Sequence, residues 1–251
     1  MPRDTATQGR AEPATTEPGD LAAQRRLQII AATSEVICRN GVDGARLKDI
    51  ADEAGVSLGM VQHYFRHRDE LVVTTMSSLL ELTLATWRVV AAAEHDPVKR
   101  LFALLRFQVA GWAPFGKRWS FWVEFWSAAS RHDTLNTYAK DVYGAWTEPF
   151  RTTIEEGVAA GAFRPTSPTD LLITRLMCLS DGAALRVLFD PDGLSQDGMF
   201  DLLIDSACTA LGIDEATRDE ALATLPNVIS VRYPEEPTTT DAIDWAPLRL
   251  T

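Results

Sequence analysis

The sequence predicts an all-α fold, and three observations support this. From Leu21 to about Gly212 the apolar residues recur at the spacing of one helix face. The interruptions are short and carry turn residues, as in the Asp-Pro-Asp-Gly run at residues 190–193. No two neighbouring segments alternate apolar and polar residues as paired strands do. We therefore expect an N-terminal three-helix head followed by a six-helix body.

Nine helices account for this pattern, and turn residues separate them. The predicted helices span residues 21–39, 46–54, 57–64, 69–93, 97–112, 118–131, 135–160, 168–188 and 196–211. The dipeptides Asn40-Gly41 and Asp96-Pro97 fall in the breaks. A further short helix is expected near residues 214–224.

The chain divides into four segments of different composition. Residues 1–20 contain no large apolar side chain after Met1, so we expect a disordered tail there. Residues 21–68 would form the head, and residues 69–212 would form the body. Residues 213–251 form a C-terminal extension with several prolines and little periodicity, to which we assign no function.

Composition and charge exclude several classes of protein. With 46% apolar and 24% charged residues, the chain is typical of globular rather than disordered proteins. No apolar run approaches the ~18 uncharged residues of a membrane-spanning helix, and no leader segment is apparent, so we expect a cytoplasmic protein. The net charge is −11, yet residues 21–72 carry equal numbers of basic and acidic side chains. The head is therefore the least acidic part of the folded chain.

The segment from Leu47 to Phe65 predicts two short helices joined by a tight turn. Gly55 would adopt the left-handed conformation that ends the first helix, and the Ser57 side chain would cap the second. The small core between the two helices would be closed by Val56, Phe65 and one of Met60 and Val61. Such a pair fits a helix-turn-helix, in which the second helix enters the major groove of DNA. The alternative is an ordinary corner between two helices inside a helical protein.

The second helix of this pair has side chains suited to DNA. Its N-terminus presents free N–H groups, which favour a phosphate. Gln62 and His63 can hydrogen-bond to base edges, and Leu58 and Met60 can contact a thymine methyl group. The predicted DNA-binding residues are Arg46, Lys48, Ser57, Leu58, Gly59, Met60, Gln62, His63, Tyr64, Arg66, His67 and Arg68.

A set of motifs extends across roughly residues 22–212. It comprises Ile29-Ile30-Ala31-Ala32, Ala54-Gly55-Val56-Ser57, His63-Tyr64-Phe65, Trp119 to Trp126, Glu155-Glu156-Gly157 and Asp181-Gly182. Together these motifs resemble the TetR family of transcriptional regulators, in its BetI-like branch. The resemblance implies a repressor that a small-molecule inducer releases from a double-stranded DNA operator. It also implies a homodimer, with a helix-turn-helix DNA-binding head and a helical body for ligand binding and dimerisation.

Two positions depart from the family's pattern. Arg46 stands where the family usually has a Thr or Ser that caps the second helix, so we expect a weaker cap and a phosphate contact from Arg46. Arg68 stands where the family usually has Lys, and either side chain can donate to a phosphate.

Aromatic residues are concentrated in the body, and four of the seven tryptophans lie between Trp112 and Trp126. Aromatic residues at helical spacing usually form core, which is one interpretation. The family resemblance suggests the other, an inducer pocket between the body helices. The predicted ligand-binding residues are Trp87, Phe107, Trp112, Trp122, Trp126 and Trp146.

The last two predicted body helices, at 168–188 and 196–211, are apolar over more than one face. A single core needs only one apolar stripe per helix, so these helices are expected to form the homodimer interface. Asp181 and Arg186 within this stretch would be a registry pair, pocket groups or a solvated edge. We favour the solvated edge, because Asp and Arg are rarely fully buried.

No catalytic, cofactor or metal motif is found. The chain lacks Gly-x-Ser-x-Gly, His-Glu-x-x-His, a Gly-rich phosphate loop and Cys-x-x-Cys, so we predict no enzyme, no cofactor and no metal. Cys38, Cys178 and Cys208 are expected to be reduced core residues. The alternative functions are a helical enzyme and a protein-binding adaptor without DNA binding.

Overall fold

The computed structural model describes residues 18–111 and 113–225. Most of the predicted tail, Trp112 and the extension beyond residue 225 therefore lie outside the described residues. The described residues form helices and turns without a strand, which confirms the all-α fold class. The helices are α1 Pro18–Gly44, α2 Leu47–Glu53, α3 Leu58–Tyr64, α4 Arg68–Ala93, α5 Pro97–Ala110, α6 Phe115–Ala129, α7 Asp133–Ala159, α8 Thr169–Phe189, α9 Gln196–Leu211 and α10 Glu215–Ala223.

The observed helices follow the predicted ones closely, with differences of a few residues at their ends. The largest difference is in α1, which continues to Gly44 although Gly41 adopts a non-helical φ of 73°. The chain bends at Gly41, where the sequence predicts a turn. The short helix expected near 214–224 is α10, which packs against α5.

The head consists of α1, α2 and α3 packed around a small apolar core. Ile29, Ile50, Val61 and Phe65 are fully buried there, whereas Met60 is 37% exposed. Val61, and not Met60, therefore closes the core between α2 and α3. The Gln28 side chain donates a 2.7 Å hydrogen bond from Nε2 to the carbonyl oxygen at the end of α2, which fixes α1 against α2.

The body surrounds α5, whose side chains are buried on most sides by α4, α7 and α9. Helix α6 lies between the body and the head, because it packs on α7 and α8 of the body and also along α1 of the head. Helices α8 and α9 follow late in the chain, and they pack on each other. Helices α4 and α6 therefore both connect the body to α1 of the head.

The turn from α5 to α6 is closed by a buried arginine. Gly111 ends α5 with φ 56°, and its N–H donates to Phe107 O at 2.8 Å. Arg118, only 6% exposed, donates to the carbonyl oxygens of Phe107 at 3.2 Å, Gln108 at 3.1 Å and Val109 at 2.6 Å. The guanidinium thus binds the partly negative end of α5. A Cβ on Gly111 would lie 1.4 Å from Nη1 of Arg118, so no side chain fits there.

We expect Gly111→Ala to destabilise the protein by about 3 kcal/mol or more. The substitution strains a positive φ and displaces a guanidinium that satisfies buried carbonyl groups. Thermal or denaturant unfolding of the full chain measures the change.

Gly144→Ala is the matched control, since Gly144 lies within α7 and a Cβ there would meet no heavy atom within 4 Å. It should leave stability unchanged or raise it by up to about 1 kcal/mol, because Ala favours the helix. Equal stability of the two variants would contradict the role assigned to the α5–α6 turn.

Candidate nucleic-acid interface and ligand cavity

The turn between α2 and α3 is fixed by a glycine and a capping serine. Gly55 adopts φ 63°, the left-handed conformation that ends α2. Ser57 Oγ accepts a 3.2 Å hydrogen bond from the N–H of Met60, which caps α3. The N–H of Val56 donates to Ala51 O at 3.0 Å and closes the turn. The predicted conformations of Gly55 and Ser57 are confirmed.

Helix α3 presents an exposed face of mixed chemistry. Leu58 is 41% exposed and Met60 is 37% exposed, although both are large apolar residues. Gln62 and His63 are exposed beside them. A Cβ at Gly59 would meet only Ser57 Oγ, at 3.9 Å, so the backbone of this face is open to a partner. The face combines hydrogen-bonding and methyl-contacting side chains, which are the two groups that read base edges.

Basic side chains lie around this face without partners. Arg46, Lys48 and Arg66 are exposed, and none of them forms an ion pair with a described residue. His67 is also exposed, and Tyr64 is half-buried with its ring 5.2 Å from that of His63. Arg46 precedes α2 without a side-chain cap bond, as its residue type predicts. These groups are free to contact phosphates.

Arg68 differs from the other predicted contact residues because its guanidinium has partners inside the head. Its Nε donates to Ala45 O at 2.8 Å, its Nη2 donates to Val42 O, and its Nη1 pairs with Asp69 at 3.0 Å. Arg68 thereby connects the start of α4 to the end of α1 and the loop before α2. A phosphate contact would compete with these bonds, so we reassign Arg68 to holding the head together.

Aromatic side chains from α4, α5, α6 and α7 enclose a cavity of about 10 Å³, room for about one water molecule. The lining residues are Thr83, Trp87, Phe107, Gln108, Arg118, Trp119, Trp122 and Trp146. Four of the six predicted ligand-binding residues are among them. Trp126 is half-buried and packs on Trp119 and Trp122 without lining the cavity, and Trp112 lies outside the described residues.

The rings around this cavity are packed edge to face or at a tilt. The centroids of Trp122 and Trp146 are 4.7 Å apart, and those of Trp87 and Trp146 are 5.2 Å apart with the planes inclined at 76°. Such contacts stabilise a core beyond the area that they bury. In this state the cluster is therefore core with a small cavity inside, and a ligand needs the rings to separate.

Sequence reasoning missed four lining residues, of which Arg118 matters most. Burial lowers the pKa of the Arg118 guanidinium to about 10, and its Nε has no hydrogen-bond partner. The indole N–H groups of Trp87, Trp119 and Trp146 also lack acceptors. Trp119 shares a helix face with Trp122, which was a usable signal. Nothing in the sequence distinguishes buried Arg118 from exposed Lys117 beside it.

A second, open cavity of about 420 Å³ lies between α4, α5 and α7. Its lining residues are Leu84, Arg88, Arg100, Ala145, Glu148, Pro149, Thr152 and Thr153. Pro149 has no N–H to donate to Ala145 O, so α7 lacks one backbone hydrogen bond at this wall. The groove and the aromatic cavity share helices α4 and α7, since Leu84 and Ala145 line the groove while Trp87 and Trp146 line the cavity.

Helix α6 is bonded to the head by ion pairs. Lys117 Nζ lies 2.9 Å from Glu35 of α1, and Arg131, just after α6, lies 2.9 Å from Asp43. His132 lies 3.3 Å from the same carboxylate, and the hydrogen bonds from Arg131 and His132 lower the pKa of Asp43. Helix α6 therefore contacts α1 and also contributes Trp119 and Trp122 to the cavity wall.

Helices α8 and α9 leave apolar side chains exposed. Leu171 is 43% exposed, Phe189 is 73% exposed and Leu202 is 38% exposed. Cys178 is exposed on the same stripe of α8, so the expectation that it is a core residue is wrong. Cys38 is half-buried and Cys208 is buried, and all three thiols are free.

Asp181 and Arg186, the two charged residues in the apolar part of α8, have different surroundings. Arg186 is exposed and pairs with Asp190 at 2.7 Å, which is the solvated edge that we favoured. Asp181 is partly buried and accepts a 3.2 Å hydrogen bond from the Tyr143 hydroxyl. Burial raises the pKa of Asp181 to about 6. Asp181 is therefore not a solvated edge residue.

Helix α3 is capped by Ser57 and exposed on a small three-helix head, which is joined to a helical body. This arrangement defines a helix-turn-helix regulator of transcription. Among the helices in the described ranges, none combines the length and apolar character that crossing a membrane demands. Within the same ranges, no group of three or more His, Cys, Asp or Glu residues is placed to hold a metal ion.

Comparisons with known proteins specify the class further. Residues 29–74 match the model of bacterial regulatory proteins of the tetR family, and residues 97–211 match that of the C-terminal part of BetI-type transcriptional repressors. The chain belongs to the TetR family of transcriptional regulators, with a body of the BetI type.

Curated relatives and solved structures agree with this assignment. The HTH-type transcriptional regulator PksA of Bacillus subtilis is 29% identical over 69% of this chain and 83% of its own length. BetI of Vibrio vulnificus is 28% identical over 68% of this chain and 84% of its own length. A transcriptional regulator from Saccharomonospora viridis, solved in complex with choline, has a TM-score of 0.67 and 26% identity, covering 73% of this chain and 95% of that one.

We expect Arg68→Ala to lower the stability of the protein by about 1 to 3 kcal/mol, because two buried carbonyl groups of the head lose their donor. Arg66→Ala, two residues away and exposed, should change stability by less than about 0.5 kcal/mol. Thermal unfolding of both variants provides the comparison. Unchanged stability of Arg68→Ala would restore the phosphate contact as the better assignment.

Proposed function

We propose that the protein is a homodimeric repressor that binds a pseudo-palindromic operator through α3 and leaves it when a small molecule occupies the aromatic cavity. The single observation that carries this proposal is the exposed face of α3, where the large apolar side chains of Leu58 and Met60 lie at the surface beside Gln62. In this proposal residues 21–68 bind DNA, and residues 69–212 bind the ligand and dimerise.

The proposed DNA contacts divide into two kinds. Gln62 is suited to a bidentate contact with adenine, and Leu58 and Met60 to thymine methyl groups. The other proposed residues would contact or approach the DNA backbone and the neighbouring bases. They are Arg46, Lys48, Ser57, Gly59, His63, Tyr64, Arg66 and His67. Phosphate contacts position the protein on DNA, while base contacts give it sequence preference.

The route from ligand to DNA would run through α6. A ligand larger than one water molecule must push apart the rings of Trp122 and Trp146, and Trp122 lies on α6. Movement of α6 would be transmitted to α1 through the Lys117–Glu35 and Arg131–Asp43 ion pairs. A change in head spacing would then prevent both heads from fitting their grooves at once.

The homodimer would use the exposed apolar side chains of α8 and α9. Leu171, Phe189 and Leu202 would be covered by the same residues of a second copy, as two-fold symmetry requires. A regulator of this kind acts where the chromosome lies, so the proposal includes a cytoplasmic location. It includes no enzymatic activity, because the cavity has no paired acid and base among its lining residues.

We expect the purified protein to bind an operator whose half-sites lie about 34 to 36 Å, or a multiple of that distance, apart. Gln62→Ala should relax sequence preference, and Arg66→Ala should weaken all duplexes by a similar factor. Electrophoretic or anisotropy titrations at several salt concentrations measure both effects. Affinity that ignores salt, or equal affinity for every sequence, would contradict the proposed function.

We expect Leu202→Glu to weaken the dimer by at least tenfold, because two-fold symmetry would bury two like charges near the axis. Val89→Glu on α4, where the native side chain is 64% exposed, is the matched control and should remain dimeric. Sedimentation velocity at several concentrations compares them. A Leu202→Glu protein that stays dimeric would remove α9 from the interface.

A further inference from the structure

The polar atoms that lack partners in the aromatic cavity are all hydrogen-bond donors. Trp87, Trp119 and Trp146 each contribute an indole N–H without an acceptor, and Arg118 contributes its Nε–H. An indole N–H can only donate, and so can a guanidinium. Buried donors without acceptors are uncommon, because each costs the free energy of removing it from water. The groups of the cavity wall that lack partners are therefore donors, and an acceptor is what would pair them.

The cavity also carries an uncompensated positive charge. Arg118 is 6% exposed, and its partners are the carbonyl oxygens of Phe107, Gln108 and Val109. Among the described residues, no carboxylate lines the cavity and no ion pair is found for Arg118. Carbonyl dipoles at the end of α5 stabilise the guanidinium but leave its net charge in place. An anion is the chemical group that would complete this arrangement.

A water molecule in the cavity would not pair all of the unpaired donors. The cavity has room for about one water molecule, which accepts two hydrogen bonds, while four donors are unpaired. A carboxylate has two oxygens with about four acceptor sites in a plane, and it matches a guanidinium in charge and shape. The aromatic faces of Trp122 and Phe107 would then surround an apolar or aromatic remainder.

We propose that the ligand of this cavity is a small organic acid bound as its carboxylate, with the carboxylate at Arg118 and the indole N–H groups and its apolar part among the rings. This inference rests on the proposed function, in which the aromatic cavity is the ligand site. It differs from a quaternary ammonium site of the kind that choline would need. Aromatic faces attract cations, but a buried guanidinium in the same wall repels them at low dielectric constant.

The open groove on α4 and α7 also carries basic side chains. The groove of about 420 Å³ lies along α4 and α7, and Arg88, Arg100 and Glu148 are its charged lining residues. Arg100 is paired with Glu156, whereas Arg88 is exposed and forms no ion pair with a described residue. Arg88 is therefore available to attract an anion to this side of the protein.

A matched series of three probes tests the ligand's charge with the ring held constant. Phenylacetate carries the carboxylate, phenylacetamide is its neutral counterpart, and benzyltrimethylammonium carries the opposite charge. Isothermal titration calorimetry and tryptophan fluorescence on the intact full-length protein report binding of each probe. We expect phenylacetate to bind at least tenfold more tightly than either of the others, since a charge-assisted hydrogen bond strengthens binding by about that factor.

Variants that remove one N–H and keep an aromatic ring test the donors. Trp146→Phe should lower the affinity for phenylacetate by about fivefold or more while changing that for phenylacetamide less. Trp126→Phe is the matched control, because Trp126 also has an unpaired indole N–H but does not line the cavity. It should leave the affinity for phenylacetate unchanged. Thermal unfolding of each variant corrects the affinities for the folded fraction, and Arg118 is left intact because it closes the α5–α6 turn.

The outcomes separate this inference from the proposed function. Equal binding of acid and amide, tighter binding of benzyltrimethylammonium or choline, or no binding of any probe at millimolar concentration would each overturn the carboxylate proposal. Operator titrations on the same preparations test the proposed function separately. A protein that binds phenylacetate but never binds an operator, or whose operator affinity ignores the acid, contradicts the proposed function and leaves the cavity's preference established.

Discussion

The structure depends on one helix, α6, that packs on two different partners at once. Its outer side lies along α1 of the head, with Lys117 and Glu35 paired at 2.9 Å. Its inner side places Trp119 and Trp122 in the wall of the aromatic cavity, with Trp122 against Trp146 of α7. Because both interfaces belong to a single rigid helix, a displacement on one side must appear on the other. This is the mechanical requirement for a ligand to influence DNA binding at a distance.

The position of α6 is set in turn by the Arg118 guanidinium. Three carbonyl oxygens at the end of α5 accept its hydrogen bonds, and Gly111 leaves the space that the guanidinium occupies. The same group faces a cavity whose other unpaired polar atoms are donors. Arg118, which closes the turn from α5 to α6, thus also gives the cavity its positive charge. Structural and binding requirements coincide at this point, and a buried charge without a counter-ion is costly unless something compensates it.

The head shows how an acidic protein can bind a polyanion. The net charge of the chain is −11, but the exposed basic groups Arg46, Lys48 and Arg66 surround α3 without ion-pair partners among the described residues. Arg39 and Arg68, by contrast, are engaged with Glu53 and with backbone carbonyls. Within one Debye length, roughly 8 Å at physiological salt, local charge matters more to a phosphate than the distant acidic body does. The unpaired side chains therefore decide the local field.

The sequence by itself determined the helices, the helix-turn-helix and the family. Helical periodicity, turn residues and the Gly55 and Ser57 signals are local properties, so they can be predicted from a stretch of a few residues. It also identified four residues that line the aromatic cavity, because aromatic residues are buried wherever helices meet. These are Trp87, Phe107, Trp122 and Trp146.

Only the tertiary structure decided which polar residues are buried and what they contact. The sequence placed Arg68 on a phosphate, whereas the fold brings Val42 and Ala45 carbonyls to it from 26 and 23 residues away. It gave no reason to separate Arg118 from Lys117, yet one is 6% exposed and the other is paired at the surface. Burial, and with it the cost of an unpaired charge or donor, depends on residues distant in sequence, so local patterns could not predict it.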